Sequence, residues 1–310
     1  MGNRVAEIFY PAYIKACDLV ETPNTNWISR FSVSRGAVFR LFLFLSFALS
    51  SSSLSSTSVV KQEKFGQVLR PSIAIIVDDL GDTLEAGKAV VDLPYPITYS
   101  FLPHTPHAYP LAQRASSQGK EIMLHQPMQP IGHASMGPGG LYMGMSEQDF
   151  KETIYSNFGS LPTFAGVNNH MGSMLTRYNE PMTWLMEAMT RQGDLYFVDS
   201  YTTLSSVAHE TARSSRLSSI TRDVFLDHDK NFSDMEFHFQ RLIKIAQRTG
   251  SALAIIHPHP QSIAFLKNRL SDLAEQGVSL VPVSQLITIR ERRNSVWQAS
   301  SSPLLKVAKN

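Results

Sequence analysis

Residues 72–81 read SIAIIVDDLG: a nearly unbroken apolar run from Ser72 to Val77, then Asp78-Asp79, then Leu80-Gly81. Ile73, Ile75, Ile76 and Val77 are β-branched, which favours a pleated strand over a helix. The run is apolar at both odd and even positions, so the strand it predicts is covered on both faces, as strands of parallel sheets are. The same grammar recurs downstream. Further runs of this type occupy Ile97–Leu102, Glu121–Leu124, Phe164–Val167, Leu195–Val198, Ala252–Ile256 and Ser279–Val283. Helices are predicted between them at Ala108–Ser117, Ser146–Phe158, Pro181–Gln192, Ser233–Arg248 and Ile263–Gln276, with a last one in the Arg-rich stretch 287–293. Ser146 is placed to cap its helix, with Asp149 at the third helical position.

Seven buried-type strands separated by helices imply parallel βαβ units, because a parallel pair needs a long crossover. The predicted fold is α/β, a single (β/α)-barrel-like domain of about seven parallel strands. An open doubly wound sheet is the second arrangement. In both, chemistry belongs at the carboxyl ends of the strands.

Composition bounds the function. The chain has 310 residues, 43% hydrophobic and 17% charged, which fits a globular protein with a substantial core. Its formal net charge is +2. Arg4, Lys15, Arg30, Arg35 and Arg40, against Glu7, Asp18 and Glu21, lie before residue 56, and removing them leaves the body balanced. A neutral body offers no electrostatic footprint for nucleic acid. The only cysteine, Cys17, precedes the main domain, so neither a disulfide framework nor a cysteine-based zinc site is expected.

The apolar run 37–49, AVFRLFLFLSFAL, follows Arg30 and Arg35 and is followed by a small-residue stretch from Ser50 to Ser56. That order reads as a secretory signal, and the run is short for a membrane span of ~20 residues. Residues 1–56 are therefore expected to be a leader with a signal peptide, or else an uncleaved anchor, which is the only membrane contact expected. Residues 57–70 read as a linker, 71–290 as the domain and 291–310 as a flexible tail. The expected location is outside the cytoplasm, in the periplasm or cell envelope.

Five of the seven predicted strands end in acid, imidazole or amide groups: Asp78-Asp79, His125-Gln126, Asn168-Asn169-His170, Asp199-Ser200 and His257-Pro258-His259. Carboxylates and imidazoles gathered on one rim need a metal, a substrate or each other, because burying uncompensated charge is costly. Side chains alternate along a strand, so adjacent acids at its end are expected to point apart, one to a metal and one to a proton. The competing role for either acid alone is to cap the next helix. His125 and His170 are read as ligands, and the asparagines as groups that orient an imidazole or hold a substrate hydroxyl. His257 and His259 are read either as a proton donor with its supporter or as metal ligands, with His259 better explained as part of a Pro-shaped loop. Acid and neutral imidazole ligands are typical of catalytic zinc and related divalent ions. Within the polar connection Arg213–Asp229, Arg222-Asp223 is a candidate to orient a catalytic group or grip substrate, or an ordinary loop ion pair. The glycine-rich stretch Pro130–Gly144 reads as a mobile loop over the site.

The stretches IAIIVDDLG, EIMLHQPMQP, GVNNHMGSMLT, LYFVDS and AIIHPHP together resemble the divergent polysaccharide deacetylase family, a remote branch of the NodB-type carbohydrate esterases, over about residues 70–290. The resemblance implies a distorted barrel, a divalent ion and a carbohydrate-related role. It implies Asp78 as base, Asp79 and His125 as metal ligands, His257 as general acid and Asp199 as a group that orients others. Where those esterases carry a second metal histidine, this chain has Gln129. Either His170 completes the ligand set, or Gln129 or water does, or metal binding is weakened; His170 is the preferred completion. The expected function is thus metal-dependent hydrolysis of an acylated envelope carbohydrate, by a deacetylase- or esterase-type enzyme. The alternative is a catalytically degenerate envelope protein that binds glycan or a protein partner through the same site. A metal phosphoesterase is a third, weaker reading, for which Arg222 alone offers an anion-binding group.

Overall fold

The computed structural model of the protein describes residues 70–301. The leader, the apolar run 37–49 and all but the last residue of the expected linker lie outside the described residues, as does the tail beyond Ser301. Among the described residues no helix is long and apolar enough to cross a membrane.

The chain alternates strands β1 (Ser72–Leu80), β2 (Thr98–Phe101), β3 (Glu121–Met128), β4 (Gly166–Met171), β5 (Tyr196–Asp199), β6 (Ser219–Thr221), β7 (Val224–Phe225), β8 (Ser251–Ile256) and β9 (Ser279–Leu280) with helices. The helices are α1 (Leu84–Val91), α2 (Ala108–Ser117), α3 (Glu147–Phe158), α4 (Asn179–Gln192), α5 (Ala208–Ser214), α6 (Phe232–Thr249), α7 (Pro260–Arg269) and α8 (Val283–Ser301). Ser146 caps α3 as expected, accepting from Asp149 N at 3.2 Å. Helices α1 and α5 and strands β6 and β7 were not legible in the sequence. Helix α7 ends at Arg269 rather than Gln276, and α8 runs past residue 290, so the first part of the expected tail is helical.

Every strand pairing is parallel, in the order β6-β5-β4-β3-β2-β1-β8-β7. The two ends of that path, β6 and β7, are joined by Arg222-Asp223 alone. Arg222 N bonds Asp199 O of β5, and Asp223 N bonds Leu253 O of β8, each continuing the ladder on its own side. A link this short forces the sheet to curl until its edges meet. The barrel is therefore closed covalently at this seam, which counts as one stave and gives about seven, as expected. Strand β9 takes the start of β1 at Ser72 and Ile73.

Alternation sorts the side chains. Ile73, Ile75, Val77, Leu124, Val167, Phe197, Ala254 and Ile256 face the helices in the larger core. Ala74, Ile76, Met123, Val198, Ile220, Leu253 and Ile255 fill the barrel interior. Fully burying each such Ile, Leu or Val contributes about 1.5–3 kcal/mol. Val283, Leu286 and Ile287 of α8 join the interior cluster, so this helix stoppers the amino-terminal mouth. Its first donors are satisfied from inside: Val283 N bonds Thr98 Oγ1 at 3.1 Å and Ser284 N bonds the Glu121 carboxylate at 3.2 Å. Apolar layers occupy the barrel from that end, and the polar strand ends are left at the other.

Candidate metal centre

The Asp pair does not obey strand alternation. Val77 pairs with Tyr99, but Leu80 pairs with Phe101, so β1 spends one more residue than β2 across Asp78-Asp79. This is a β-bulge, and Asp79 sits in the left-handed region at φ 56°. The bulge turns both carboxylates toward His125, whose Nε2 lies 3.7 Å from Asp78 Oδ2 and 3.1 Å from Asp79 Oδ1. The expectation that the two acids point apart is therefore corrected. A non-glycine residue at positive φ costs about 1–2 kcal/mol, a strain that the convergence of the site imposes.

Asp79 Oδ1, His125 Nε2 and His170 Nδ1 form a triangle with sides of 3.1, 2.9 and 3.2 Å. Ligand atoms about 2.0 Å from a tetrahedral metal stand roughly 3.3 Å apart, so the three atoms are spaced as such a shell requires. Asp79 Oδ1 is buried and, despite its two close nitrogens, accepts no hydrogen bond of acceptable geometry. A buried carboxylate oxygen aimed past its neighbours, beside two imidazoles, fits a divalent cation. Burial by itself would raise the Asp79 carboxyl; the imidazoles of His125 and His170 hold it far below the usual carboxylate range.

Asn168 organises this centre from beneath. It is fully buried. Its Nδ2 donates to Asp78 Oδ1 and Oδ2 at 2.9 and 3.1 Å, which fixes which end of the amide is nitrogen. Its Oδ1 accepts from Ser100 Oγ at 2.6 Å and lies 2.9 Å from His125 Nδ1. An amide oxygen can only accept, so His125 Nδ1 carries the proton and Nε2 is the atom turned to the cluster. Burial pushes the Asp78 carboxyl up, against the pull of His125 and His257. For His125 the order is reversed: burial opposes its charge, and Asp78 and Asp79 still raise its pKa.

His257, at the end of β8, points Nε2 toward Asp79 Oδ2 at 3.9 Å. Its Nδ1 lies 3.0 Å from Asp227 Oδ1. Asp227 Oδ2 accepts from His257 N and from Ser262 Oγ, both at 2.8 Å. Burial disfavours the imidazolium, yet the hydrogen bond and charge of Asp227 push His257 up to about 9. The ring stacks on Phe225, centroids 6.1 Å apart, and the Arg222 guanidinium lies 3.7 Å over the other aromatic partner of that stack, Phe225. Asp227 was missed in the sequence, where it lies inside the long polar connection Arg213–Asp229. Its signal was available only in the fold: strand β7 carries it beside β8. His259 joins Asp227 and His257 in a second group of nearby ligand-type atoms, but Asp227 already spends both oxygens on His257 and Ser262.

Several expected roles move. Asp199 does not orient the catalytic groups; it holds its own loop, accepting from Tyr201 N at 2.8 Å and Ser206 Oγ at 2.7 Å. Its neighbour Val198 takes the interior face, which sends Asp199 to the other side of the strand. Of the two roles expected for the asparagines, Asn168 takes the first, orienting the His125 imidazole, and neither holds substrate, since both are buried and committed. Asn169 ties β4 to β5, donating to Met171 O at 2.7 Å and accepting from Ser200 N at 2.8 Å. Asp223 is no substrate group either: it pairs with Arg290 of α8 and accepts from Leu253 N at 2.7 Å. Arg222 spends Nε and Nη2 on Ser200 O and Tyr201 O at 2.8 and 3.1 Å, buttressing Phe225 rather than gripping a ligand. Gln129 does not stand in for a ligand; its Oε1 accepts from Met143 N at 2.7 Å. The loop it holds is anchored too. Gly139 O accepts from Gln126 and Asn157, and Leu141 N bonds Pro127 O at 2.9 Å.

Residues 75–287 match the family model described as divergent polysaccharide deacetylase. An uncharacterized protein of Haemophilus influenzae is 36% identical over 214 residues, spanning 69% of this chain and 76% of that one. The uncharacterized protein YibQ of Escherichia coli K12 is 34% identical over 242 residues, 76% of this chain and 75% of its own. Among solved structures, an uncharacterized protein of Agrobacterium tumefaciens C58 superposes with a TM-score of 0.68 at 23% identity, over 72% of this chain and 91% of that one. A putative cellobiose-phosphate cleavage protein of Enterococcus faecalis V583 gives a TM-score of 0.51 at 13% identity, over 70% and 99%. At these identities the two structures bear on the fold alone.

Proposed function

The chain belongs to the divergent polysaccharide deacetylase family, and from that premise we propose that it is a zinc-dependent hydrolase that removes an acyl group from a carbohydrate of the cell envelope. One observation carries the reading: the triangle of Asp79 Oδ1, His125 Nε2 and His170 Nδ1, with His257 Nε2 3.9 Å from the second oxygen of Asp79. Asp79, His125 and His170 would hold the cation, which when bound supplies Lewis acidity to a carbonyl and to water.

The protein's own residues do the rest. Asp78, raised by burial and held by Asn168, takes the proton of the attacking water. The water oxygen bonds to the acyl carbon, and the bond from that carbon to the sugar's oxygen or nitrogen breaks. His257, kept protonated by Asp227, gives its Nε2 proton to the departing sugar atom. The products are a carboxylic acid and a free hydroxyl or amine. Export of the protein, proposed from residues 37–49, would place it with such substrates.

The test combines metal analysis of the purified protein with an acid-release assay on envelope glycans. Bound zinc and released acid, both lost in Asp79→Ala and His125→Ala, support the reading. No bound metal after zinc loading overturns it. Glycan binding with no acid released, unchanged in Asp78→Asn, favours the binding-only alternative.

A further inference from the structure

Helix α8 crosses the pole of the barrel opposite the metal centre. Its start is fixed beside β2 and β3 by Thr98 and Glu121, and further along Arg290 pairs with Asp223 and donates to Ser251 Oγ at 3.1 Å. Arginines gather on both flanks of this helix and on its outer side. On the β6 flank, Arg213 and Arg216 line one cavity with Arg290, Glu291 and Asn294. On the β8 flank, the Arg293 guanidinium fills the space that a Cβ on Gly250 would take. Gly250 O accepts from Ser72 N, which brings Arg70 to that flank, and Arg248 lies there in the last turn of α6. Thr288 and Arg292, one turn apart and both exposed, mark the outer side between the flanks.

We propose that this pole docks on an anionic phospholipid surface. Arg70, Arg213, Arg216, Arg248, Arg292 and Arg293 are all exposed. Among the described residues none of them forms an ion pair, whereas Arg114, Arg269 and Arg290 each do. The acids lining the same cavities are Asp194 and Glu291, and Asp272 and Glu275 lie on the separate turn after α7, so the strip keeps a net positive charge. The domain as a whole is balanced, so the excess is a local gathering and not a basic chain. Arg213 and Arg248 sit in the last turns of α5 and α6, where a cation also answers the helix dipole. Arg70, Arg216, Arg292 and Arg293 have no such duty. Arg216 even holds a backbone at φ 63°, where glycine is the cheap residue.

The course of the chain selects lipid over other anions. The chain enters the domain at Arg70, inside this strip, and the apolar run 37–49 lies upstream of it. Even fully extended, at ~3.3–3.6 Å per residue, residues 50–69 reach no further than about 70 Å. An anchor or export signal read from 37–49 therefore brings this pole to a bilayer, and the inference rests on that reading of export, not on the chemistry of the rim. Clusters of roughly four to eight Lys or Arg beside a membrane anchor bind anionic head groups. Seated this way, the domain turns its metal centre away from the bilayer, toward glycans beyond it.

The experiment floats the full chain with vesicles of phosphatidylcholine alone and of phosphatidylcholine mixed with phosphatidylglycerol, and reads the ratio of the two affinities. The ratio cancels what the apolar run contributes to either bilayer. A preference for the anionic vesicles is expected, falling about tenfold or more in Arg292→Gln/Arg293→Gln and on addition of salt. A thermal melt matching the parent's shows that this variant is folded. Arg177→Gln/Lys230→Gln removes the same net charge at the other end of the barrel and is expected to keep the ratio. Equal loss in the two double variants, a preference unmoved by Arg292→Gln/Arg293→Gln, no preference at all, or tighter binding of duplex DNA than of anionic vesicles overturns the proposal. The result is independent of the catalytic reading, because vesicle binding needs no chemistry at the rim. Acid release from a small soluble ester by Arg292→Gln/Arg293→Gln is expected to equal that of the parent.

Discussion

Asn168 Nδ2 lies 2.9 and 3.1 Å from the two carboxylate oxygens of Asp78, and both side chains are buried at the base of the rim. Asn168→Leu leaves a buried carboxylate without its donor and His125 Nδ1 without its acceptor. The expected cost is about 1–3 kcal/mol for the unsatisfied groups, which lowers the midpoint of thermal unfolding by roughly 2–10 °C in a domain of this size. Zinc affinity is expected to fall 10–100-fold, the usual effect of removing a group that orients a ligand. Thermal melts and zinc titration of the variant check both. Unchanged zinc affinity would mean that Asn168 does not hold the His125 tautomer.

His170 and Gln129 compete for the place of a third ligand, and the geometry separates them. His170 Nδ1 is 2.9 Å from Asp79 Oδ1, whereas the Gln129 amide holds Met143 N at 2.7 Å. His170→Ala is expected to abolish stoichiometric zinc, as Asp79→Ala and His125→Ala do. Gln129→Ala is expected to retain zinc while loosening the loop that ends at Gly144. Metal content after dialysis reads the first, and protease sensitivity of that loop reads the second. Zinc lost from Gln129→Ala and kept in His170→Ala would reverse the assignment.

The centre was legible in part because strand ends are local. Asp79, His125, His170 and His257 each follow a recognisable apolar run, and a parallel barrel gathers such ends at one mouth. What escaped the sequence depends on contacts between distant segments. Strands β6 and β7 are too short to show a period, so Asp227 looked like loop acid rather than the partner of His257. Alternation misled at Asp78-Asp79, because a bulge is a misfit between two strands and β1 alone does not reveal it. Asp199 and the two asparagines occupy the expected strand ends, but which face each takes is set by neighbouring strands. Asp199 turns to its loop, and Asn168 turns inward under the acids instead of out to substrate.

The His257–Asp227 pair makes stability depend on pH in a definite sense. Burial opposes charging of His257, but Asp227 outweighs it and raises the pKa to about 9. A raised pKa means the folded state holds the proton more tightly than the unfolded chain. The contribution is therefore fully present below the ordinary imidazole value of about 6.5 and is lost as pH rises through about 9. It amounts to about 3–3.5 kcal/mol at most. Chemical denaturation of metal-free protein at pH 6 and pH 9.5 is expected to show the loss, with His125, raised in the same direction, adding to it. Asp227→Asn should flatten most of the slope. An unchanged slope in that variant would dissociate His257 from Asp227.

Asp79 sits at φ 56°, where its carboxylate reaches the cluster but its Cβ is strained. Asparagine tolerates this backbone almost as well as aspartate, and a β-branched residue does not. Asp79→Asn keeps the left-handed backbone but removes the anionic ligand, and its cost in the metal-free protein is the lost attraction of the carboxylate for His125 and His170. Asp79→Val adds left-handed strain and leaves His125 and His170 facing an apolar group, at an expected cost of about 2 kcal/mol or more. Both variants should lose zinc. Denaturation curves then separate the two roles of the position, because the valine should move the midpoint further than the asparagine. Equal destabilisation by both would place the cost in the lost carboxylate, and the bulge would no longer count as strain held in place by the site.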